Sequence, residues 1–254
     1  MITSVHNERV KYIRSLARRR VRQQEGRFVV EGTRLLAEMV RAGVRPVFVL
    51  HTEAWAATQE AEALLPALAL AEEGIWLVSE AVFGACADTE TPQGVLAVVP
   101  QLSHEARPGP ILILDQLRDP GNLGTVLRSA EAAAVGLTVL TPGTVDLYNA
   151  KVVRGAMGAH FRLPVASLRW TAIDELVAGR SVWLADASGE VAYDAVDWRR
   201  PSALIVGGEA AGAGEEAAAL AEGRVFIPMG GETESLNAAM AATVILFEMA
   251  RQRR

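Results

Sequence analysis

The segment RVFIPMGGETESLNAAMAATVILF, residues 224–247, is the stretch of this 254-residue chain that is most informative about its fold. Its first four residues are typical of a short apolar strand, which Pro228 ends. Gly230 and Gly231 permit the backbone angles of a tight loop. Apolar residues then recur at helical spacing, so we predict a closing helix that begins at Ser235. A strand, a glycine-containing loop and a helix in this order are typical of ligand sites in open α/β sheets.

Strands and helices alternate along the rest of the chain, which indicates an α/β fold. Short apolar runs predict strands at 27–31, 46–50, 75–78, 94–98, 111–115, 137–140, 181–186, 203–206 and 224–227. Helical periodicity predicts helices at 8–24, 32–43, 53–73, 122–134, 149–156 and 214–221. The alternation stops at PQLSHEARPGP, residues 100–110, which has three prolines and no periodicity. We therefore expect two domains, residues 1–105 and residues 106–254.

The composition excludes a disordered chain and a collagen-like repeat, because 50% of the residues are hydrophobic and 22% are charged. The single cysteine, Cys86, excludes an intramolecular disulfide and disfavours a cysteine-based metal site. The histidines are too scattered in the sequence to indicate a metal site; they are His6, His51, His104 and His160. The N-terminus lacks the apolar stretch of a signal peptide, and the apolar run 236–247 is too short to span a bilayer. We expect a cytoplasmic protein without a metal.

Charge is distributed unevenly along the chain, whose net charge is −5. Residues 1–45 have a balance of +7, whereas residues 46–106 have a balance of −9. A basic N-terminal segment on an acidic body is typical of a protein that presents one face to a polyanion. An arginine-rich, solvated helix face accounts for the same numbers, and charge alone does not separate the two interpretations.

The first candidate loop is DQLRDPGNLGTVLRSAE, residues 115–131, which follows an apolar strand. Asn122 is expected to cap a helix whose first turn contains Gly124. Arg128 lies in the second turn, from where its side chain can reach back towards the loop. The alternative is an ordinary helix cap followed by an exposed arginine.

The second loop, LIVGGEAAGAGEEA at 204–217, contains a G-x-G-x-x-A match that is typical of dinucleotide sites. A pyrophosphate would bind at the positive N-terminus of the following helix. Glu215 and Glu216 would repel it there, which argues against a nicotinamide-dependent oxidoreductase. An uncharged or cationic ligand is more compatible with these residues and with Glu209.

The third loop is the one quoted first. Ser235 and Asn237 place hydrogen-bonding side chains beside the apolar Ile227, Met229 and Leu236. A pocket of apolar side chains and free backbone groups suits an adenine ring. An ordinary cap on a buried helix is the alternative.

Together the three loops resemble the SpoU (TrmH) family of RNA ribose 2′-O-methyltransferases, within the SPOUT superfamily. Its motifs appear in order as N-x-G-x-x-x-R at 122–128, G-x-E-x-x-G at 207–212 and I-P-M-x-G-x-x-x-S-L-N at 227–237. Residues 146–158 are also similar to the segment that links the family's motifs. The chain departs from the family at Ala238 and Ala239, where many members have Val-Ser.

The resemblance implies an α/β catalytic domain with a deep trefoil knot that works as a homodimer. Our own support for the dimer is an apolar stripe on the last helix. The N-terminal segments VEGTRLLAE (30–38) and TPQGVLAVV (91–99) resemble the small RNA-binding domain, similar to a ribosomal protein, that precedes the catalytic domain in many members. The basic residues between 9 and 22 suit that role.

The resemblance also implies S-adenosylmethionine as methyl donor and RNA as substrate. The catalytic residues it assigns are Arg128, Asn122, Glu209, Ser235 and Asn237. The residues it assigns to the cofactor are Thr141, Gly207, Gly208, Ile227, Met229 and Leu236. Large-subunit ribosomal RNA is the expected substrate, because tRNA-modifying members often use short basic extensions instead of an N-terminal domain. A transfer-RNA substrate and a non-catalytic RNA-binding protein of the same fold remain the alternatives.

Overall fold

The computed structural model describes residues 1–208 and 212–254, and it divides into two compact units. The N-terminal unit comprises residues 1–102 and 148–161. The C-terminal unit comprises residues 103–147 and 162–254. The predicted division into 1–105 and 106–254 did not include the return of residues 148–161 to the N-terminal unit.

Helices and strands alternate as predicted. The helices are α1 (Glu8–Ser15), α2 (Arg19–Glu25), α3 (Thr33–Arg41), α4 (Glu53–Ala56), α5 (Gln59–Ala67), α6 (Glu80–Cys86), α7 (Pro120–Ala132), α8 (Ala150–Gly155), α9 (Trp170–Val177), α10 (Glu215–Leu220) and α11 (Ala238–Gln252). The strands are β1 (Arg27–Glu31), β2 (Phe48–His51), β3 (Ile75–Leu77), β4 (Val95–Pro100), β5 (Ile111–Asp115), β6 (Leu137–Leu140), β7 (Val165–Ser167), β8 (Ser181–Ala185), β9 (Val191–Ala192), β10 (Ser202–Gly207) and β11 (Gly223–Phe226). We did not predict α6, α9, β7 and β9, because such short elements show little periodicity.

The sheet of the N-terminal unit has the strand order β1-β4-β2-β3. Strand β4 pairs antiparallel with β1 and β2, whereas β2 and β3 are parallel. Both faces of the sheet are covered. Helix α3 buries Leu36 and Met39 in one apolar cluster, and α1 and α6 bury Ile13 and Phe83 in another.

The predicted helix over 8–24 is wrong at its centre, where the chain breaks into α1 and α2. The buried guanidinium of Arg22 donates hydrogen bonds to the carbonyls of Leu16 and Ala17, at 2.8 and 2.7 Å. These carbonyls are therefore satisfied without a continuous helix. The predicted helix over 53–73 is likewise divided into α4 and α5, because Thr58 caps a new helix there.

The segment 148–161 completes the core of the N-terminal unit. It contains α8, and it buries Val153 and Phe161 in the same cluster as the α3 side chains. Gly158 lies between α8 and Phe161, and a Cβ added there would lie 2.7 Å from the Cβ of Glu38. Because the segment is short and its partners lie far away in the sequence, its local pattern did not indicate where it packs.

The sheet of the C-terminal unit is parallel, with the strand order β7-β6-β5-β10-β8-β11-β9. Its apolar strands read as continuous runs, as expected for a sheet that is buried on both faces. Strand β10 lies between β5 and β8, so three segments that are distant in the sequence end side by side. All of these carboxyl ends meet at one edge of the sheet.

Two predicted helix starts are corrected by the structure. Helix α7 is capped by Asp119, whose carboxylate accepts a hydrogen bond from the Asn122 backbone N–H at 2.8 Å, so Asn122 lies inside the first turn. Helix α11 begins at Ala238 and is capped by Asn237 rather than at Ser235. In both places a second side chain of about equal capping strength lies two or three residues from the predicted start, so the sequence alone does not choose between them.

The trefoil knot stays a prediction from the family resemblance.

In the ranges 1–208 and 212–254, no helix combines the length and the apolar character that a membrane span requires.

Candidate active site

A cleft of about 970 Å³ opens at the carboxyl edge of the parallel sheet in the C-terminal unit. The ends of β8, β10 and β11, the loop 229–237 and the first turns of α11 line it. This is the edge at which open α/β sheets bind ligands. Most residues predicted to bind the cofactor line the cleft; they are Gly207, Gly208, Ile227, Met229 and Leu236.

The two glycines at the end of β10 allow the backbone to approach its neighbours closely. A Cβ added to Gly207 would lie 2.4 Å from the backbone nitrogen of Ala213. A Cβ added to Gly208 would lie 2.7 Å from the carbonyl oxygen of Gln116. Any side chain at either position would therefore displace the backbone that forms this end of the cleft.

The lining of the cleft is acidic. It includes the carboxylates of Asp186, Glu232 and Glu234, and no basic side chain is present in the part of the lining that the structure describes. Asp186 accepts hydrogen bonds from the Ser188 backbone and from Arg224, and these interactions, led by the backbone bond, hold its pKa below the usual range. The cleft therefore favours a ligand that carries positive charge. Sequence reasoning missed Asp186, although a charged residue directly after an apolar strand was a usable signal.

A buried carboxylate bonds to two segments at the same edge of the sheet. Asp115, at the end of β5, accepts hydrogen bonds from the Thr141 hydroxyl at 2.7 Å and from the Gly214 backbone N–H at 2.7 Å. The Thr141 hydroxyl also accepts a bond from the Gln116 N–H at 3.1 Å. Thr141 does not line the cleft, so the structure places this predicted cofactor residue in the supporting network. Sequence reasoning missed Asp115, the single charge in the run ILILD.

The first and third motifs meet through their asparagines. The Asn237 side-chain amide donates a hydrogen bond to Oδ1 of Asn122 at 3.1 Å, across 115 residues of chain. The Asn237 Oδ1 caps α11 by accepting from the N–H groups of Ala239 and Met240. One side chain thus caps a helix, lines the cleft and joins two helices.

The other predicted catalytic residues lie in different surroundings. Ser235 is exposed and lines the cleft. Arg128 is exposed on α7 outside the cleft lining, and its guanidinium has no hydrogen-bond partner among the described residues. Glu209 lies outside the described residues.

Comparisons with known proteins agree with this geometry. Residues 109–247 match the SpoU rRNA Methylase family, and residues 7–97 match the MRM3-like substrate binding domain. Among curated proteins, the chain is 34% identical to the 23S rRNA (guanosine(2553)-2′-O)-methyltransferase RlmP of Bacillus subtilis, over 98% of each chain.

A second relative is the human mitochondrial rRNA methyltransferase 3, which is 31% identical over 92% of this chain and 69% of its own length. Among solved structures, the AdoMet-bound rRNA methyltransferase from Sinorhizobium meliloti superposes with a TM-score of 0.86 at 28% identity. That match covers 98% of this chain and 97% of the other.

Proposed function

Since the chain belongs to the SpoU rRNA methylase family and is an S-adenosylmethionine-dependent RNA ribose 2′-O-methyltransferase, we propose that its substrate is large-subunit ribosomal RNA. The observation that carries this proposal is the full-length similarity to a 23S rRNA methyltransferase. Residues 7–97 match a substrate-binding domain, and we therefore propose that the N-terminal domain binds the RNA. The protein would act in the compartment that holds ribosomal RNA, and its single cysteine suits a reducing cytoplasm.

The residues of the cleft fit the cofactor. Gly207 and Gly208 let the backbone pack closely at the end of the cleft, which they line, and the acidic lining complements a sulfonium and an ammonium group. We assign cofactor binding to these glycines with Ile227, Met229 and Leu236, and a supporting role to Thr141. When bound, S-adenosylmethionine supplies a methyl group on a positively charged sulfur.

Arg128 is proposed to act on the ribose hydroxyl. A guanidinium is almost never neutral in a protein, so we assign it electrostatic work rather than literal general-base catalysis. Its exposed position and its lack of a described partner leave the donors available to a substrate phosphate. There it would hold the phosphate beside the reacting ribose and stabilise the alkoxide that develops as the hydroxyl loses its proton.

The remaining motif residues are proposed to position the reactants. The hydrogen bond between Asn122 and Asn237 holds the start of α11 against α7. The exposed hydroxyl of Ser235 can bond a ligand in the cleft. We assign Glu209 the orientation of Arg128 and the ribose hydroxyl, on the basis of its place in the second motif. Orientation of this kind accounts for a large share of the acceleration in group transfer.

We propose a homodimer formed by the catalytic domain. On α11, Met240 is 55% exposed and Phe247 is 44% exposed, although both lie in an apolar stripe. Leu236 extends the same stripe towards the cleft. Such a surface is typical of an interface rather than of a solvated helix.

The test is to incubate the protein with methyl-labelled S-adenosylmethionine and either ribosomal RNA or transfer RNA that lacks the modification, and then to digest the RNA to nucleosides. We expect label in large-subunit ribosomal RNA, on a 2′-O-methyl nucleoside. Label on transfer RNA alone would contradict the proposed substrate, and label on a base would contradict the chemistry.

A further inference from the structure

A second cavity, of about 390 Å³, lies within the N-terminal unit. Its walls come from α1 and the turn that follows it, from the end of α6 and from the segment that contains α8. The volume is within the range of small-ligand sites, about 300–1,000 Å³. None of the site residues predicted from the sequence lines this cavity.

One wall of the cavity is an aromatic ring that is held in place. The Tyr148 hydroxyl donates to the Leu102 carbonyl at 3.1 Å and accepts from the Leu102 N–H at 3.0 Å. The Tyr148 ring also packs against Phe28, with 4.6 Å between ring centroids. Larger apolar side chains also line the cavity; they are Ile13, Leu16, Val29 and Val153. A fixed ring beside an apolar floor suits a flat, aromatic ligand.

Two donors at the cavity are available to a ligand. Asn149 uses its side-chain oxygen to cap α8 by accepting from the Lys151 N–H at 2.9 Å, and no described residue accepts from its amide nitrogen. Arg14 is exposed, and its guanidinium has no hydrogen-bond partner in the described part of the chain. The ligand should therefore present acceptors, and at Arg14 it should carry negative charge.

The carboxylates that line the cavity already have partners. Glu31 accepts hydrogen bonds from the Asp88 N–H at 2.9 Å and from the Thr89 hydroxyl. Asp88 forms an ion pair with Arg154, with 2.6 Å between Oδ2 and Nη1. The lining has three arginines, Arg14, Arg22 and Arg154, against the two carboxylates, so the cavity keeps a net positive charge to which the exposed Arg14 contributes.

We propose that this cavity binds a single unpaired nucleotide of the RNA substrate, with the base against Tyr148 and Asn149 and a phosphate on Arg14. The proposal rests on the proposed function, because it takes RNA as the substrate. Proteins that recognise unpaired RNA stack the splayed base on an aromatic side chain and bond its edge. Arg20, three residues after Ala17 of the cavity lining, is exposed and can attract a flanking phosphate.

The first test compares two arginine variants of the full-length protein. Its ligands are an RNA hairpin with an unpaired loop and a fully paired RNA duplex, each titrated at one fixed salt concentration. Arg14→Ala should weaken hairpin binding by about tenfold, because it removes charge-assisted hydrogen bonds. Arg18→Ala, which removes the same charge outside the cavity, should weaken hairpin binding by no more than about threefold. Equal effects of the two variants on the hairpin would overturn the proposal.

A second variant guards against a folding artefact. Asn149→Ser keeps a hydroxyl that can cap α8 but removes the free amide donors. It should weaken hairpin binding several-fold and leave duplex binding unchanged. Unchanged hairpin binding by a folded Asn149→Ser protein would count against the site.

The single cysteine reports occupancy of the cavity directly. Cys86 lines the cavity, and burial raises the pKa of its thiol to about 11, so its alkylation by iodoacetamide should be slow enough to follow. The hairpin should slow this reaction at least about fivefold, and the duplex should not. Protection by uridine monophosphate but not by the hairpin, or equal rates with and without the hairpin, would overturn the proposal.

The two proposals fail separately. Methyl incorporation into ribosomal and transfer RNA is measured on the same wild-type preparation. If the hairpin protects Cys86 but only transfer RNA is methylated, the substrate is wrong and the nucleotide site stands. If ribosomal RNA is methylated but the hairpin leaves Cys86 unprotected, the site is wrong and the function stands.

Discussion

Among single residues, Arg128 is expected to act in methyl transfer and not in cofactor binding. It is exposed on α7 and lies outside the lining of the cleft. We expect Arg128→Ala to reduce the rate of methyl transfer by at least about a hundredfold while the Kd for S-adenosylmethionine changes less than about threefold. Arg128→Lys should also be slow, because an ammonium does not reproduce a bidentate phosphate contact.

Single-turnover transfer from labelled cofactor gives the rate, and calorimetry gives the Kd. Arg169→Ala is the matched control, because Arg169 is an exposed arginine of the same unit that makes no side-chain cap. A loss of cofactor affinity as large as the loss of rate would show that Arg128 belongs to the cofactor site.

Asp115 holds two segments that are distant from it in the sequence, at Thr141 and at Gly214. Asp115→Ala would leave the Gly214 N–H and the Thr141 hydroxyl without their acceptor in a buried place. We expect the free energy of unfolding to fall by about 1–3 kcal/mol, and cofactor binding to weaken. Thr141→Val removes the bonds of the hydroxyl to Asp115 and to the Gln116 N–H at nearly constant volume, and it should also lower the free energy of unfolding.

Urea denaturation measures both variants, and calorimetry measures the cofactor. If Asp115→Ala unfolds at the wild-type urea concentration, the network does not stabilise the sheet edge.

At the scale of elements, the start of α11 joins the cleft to α7. Asn237→Ala removes a helix cap and the bond to Asn122, so unfolding should become easier by about 1 kcal/mol and cofactor affinity should fall. Asn237→Asp keeps an acceptor at the positive end of the helix and should lose less stability.

Ser79→Ala is the control, because Ser79 caps α6 in the N-terminal unit and does not line the cleft. It should cost similar stability and leave cofactor affinity unchanged. Equal cofactor affinity in the Asn237→Ala and wild-type proteins would mean that the cap does not shape the cleft.

At the scale of the whole molecule, the exposed apolar stripe of α11 predicts self-association. Phe247→Glu would bury a charge at the proposed interface, so we expect a monomer without methyltransferase activity where the wild type is a dimer. Val47→Glu places the same charge on an exposed apolar residue of the N-terminal unit and should stay dimeric. Sedimentation at micromolar concentration distinguishes the states, and a monomeric wild type would contradict the interface.

The candidate site was partly predictable from sequence, because its motifs follow apolar strands. Ile227, Met229 and Leu236 line the cleft as expected, since a strand, a loop and a helix must bring them to one edge of a parallel sheet. Thr141 bonds to Asp115 and does not line the cleft, whereas Asp186 lines the cleft and was not predicted. Their roles depend on neighbouring strands that no local pattern identifies.

The alternation of strands and helices was evident from the amino-acid sequence, because burial imposes a helical period on the helices and continuous apolar runs on the strands of the parallel sheet. The order of the three motifs was also evident there. Three features became visible only in the folded chain: Asn122 meets Asn237, Arg22 divides the first predicted helix, and residues 148–161 return to the N-terminal unit. These features depend on hydrogen bonds and packing between segments that are far apart in the chain. The path of the backbone, rather than the pattern within a segment, sets which of them meet.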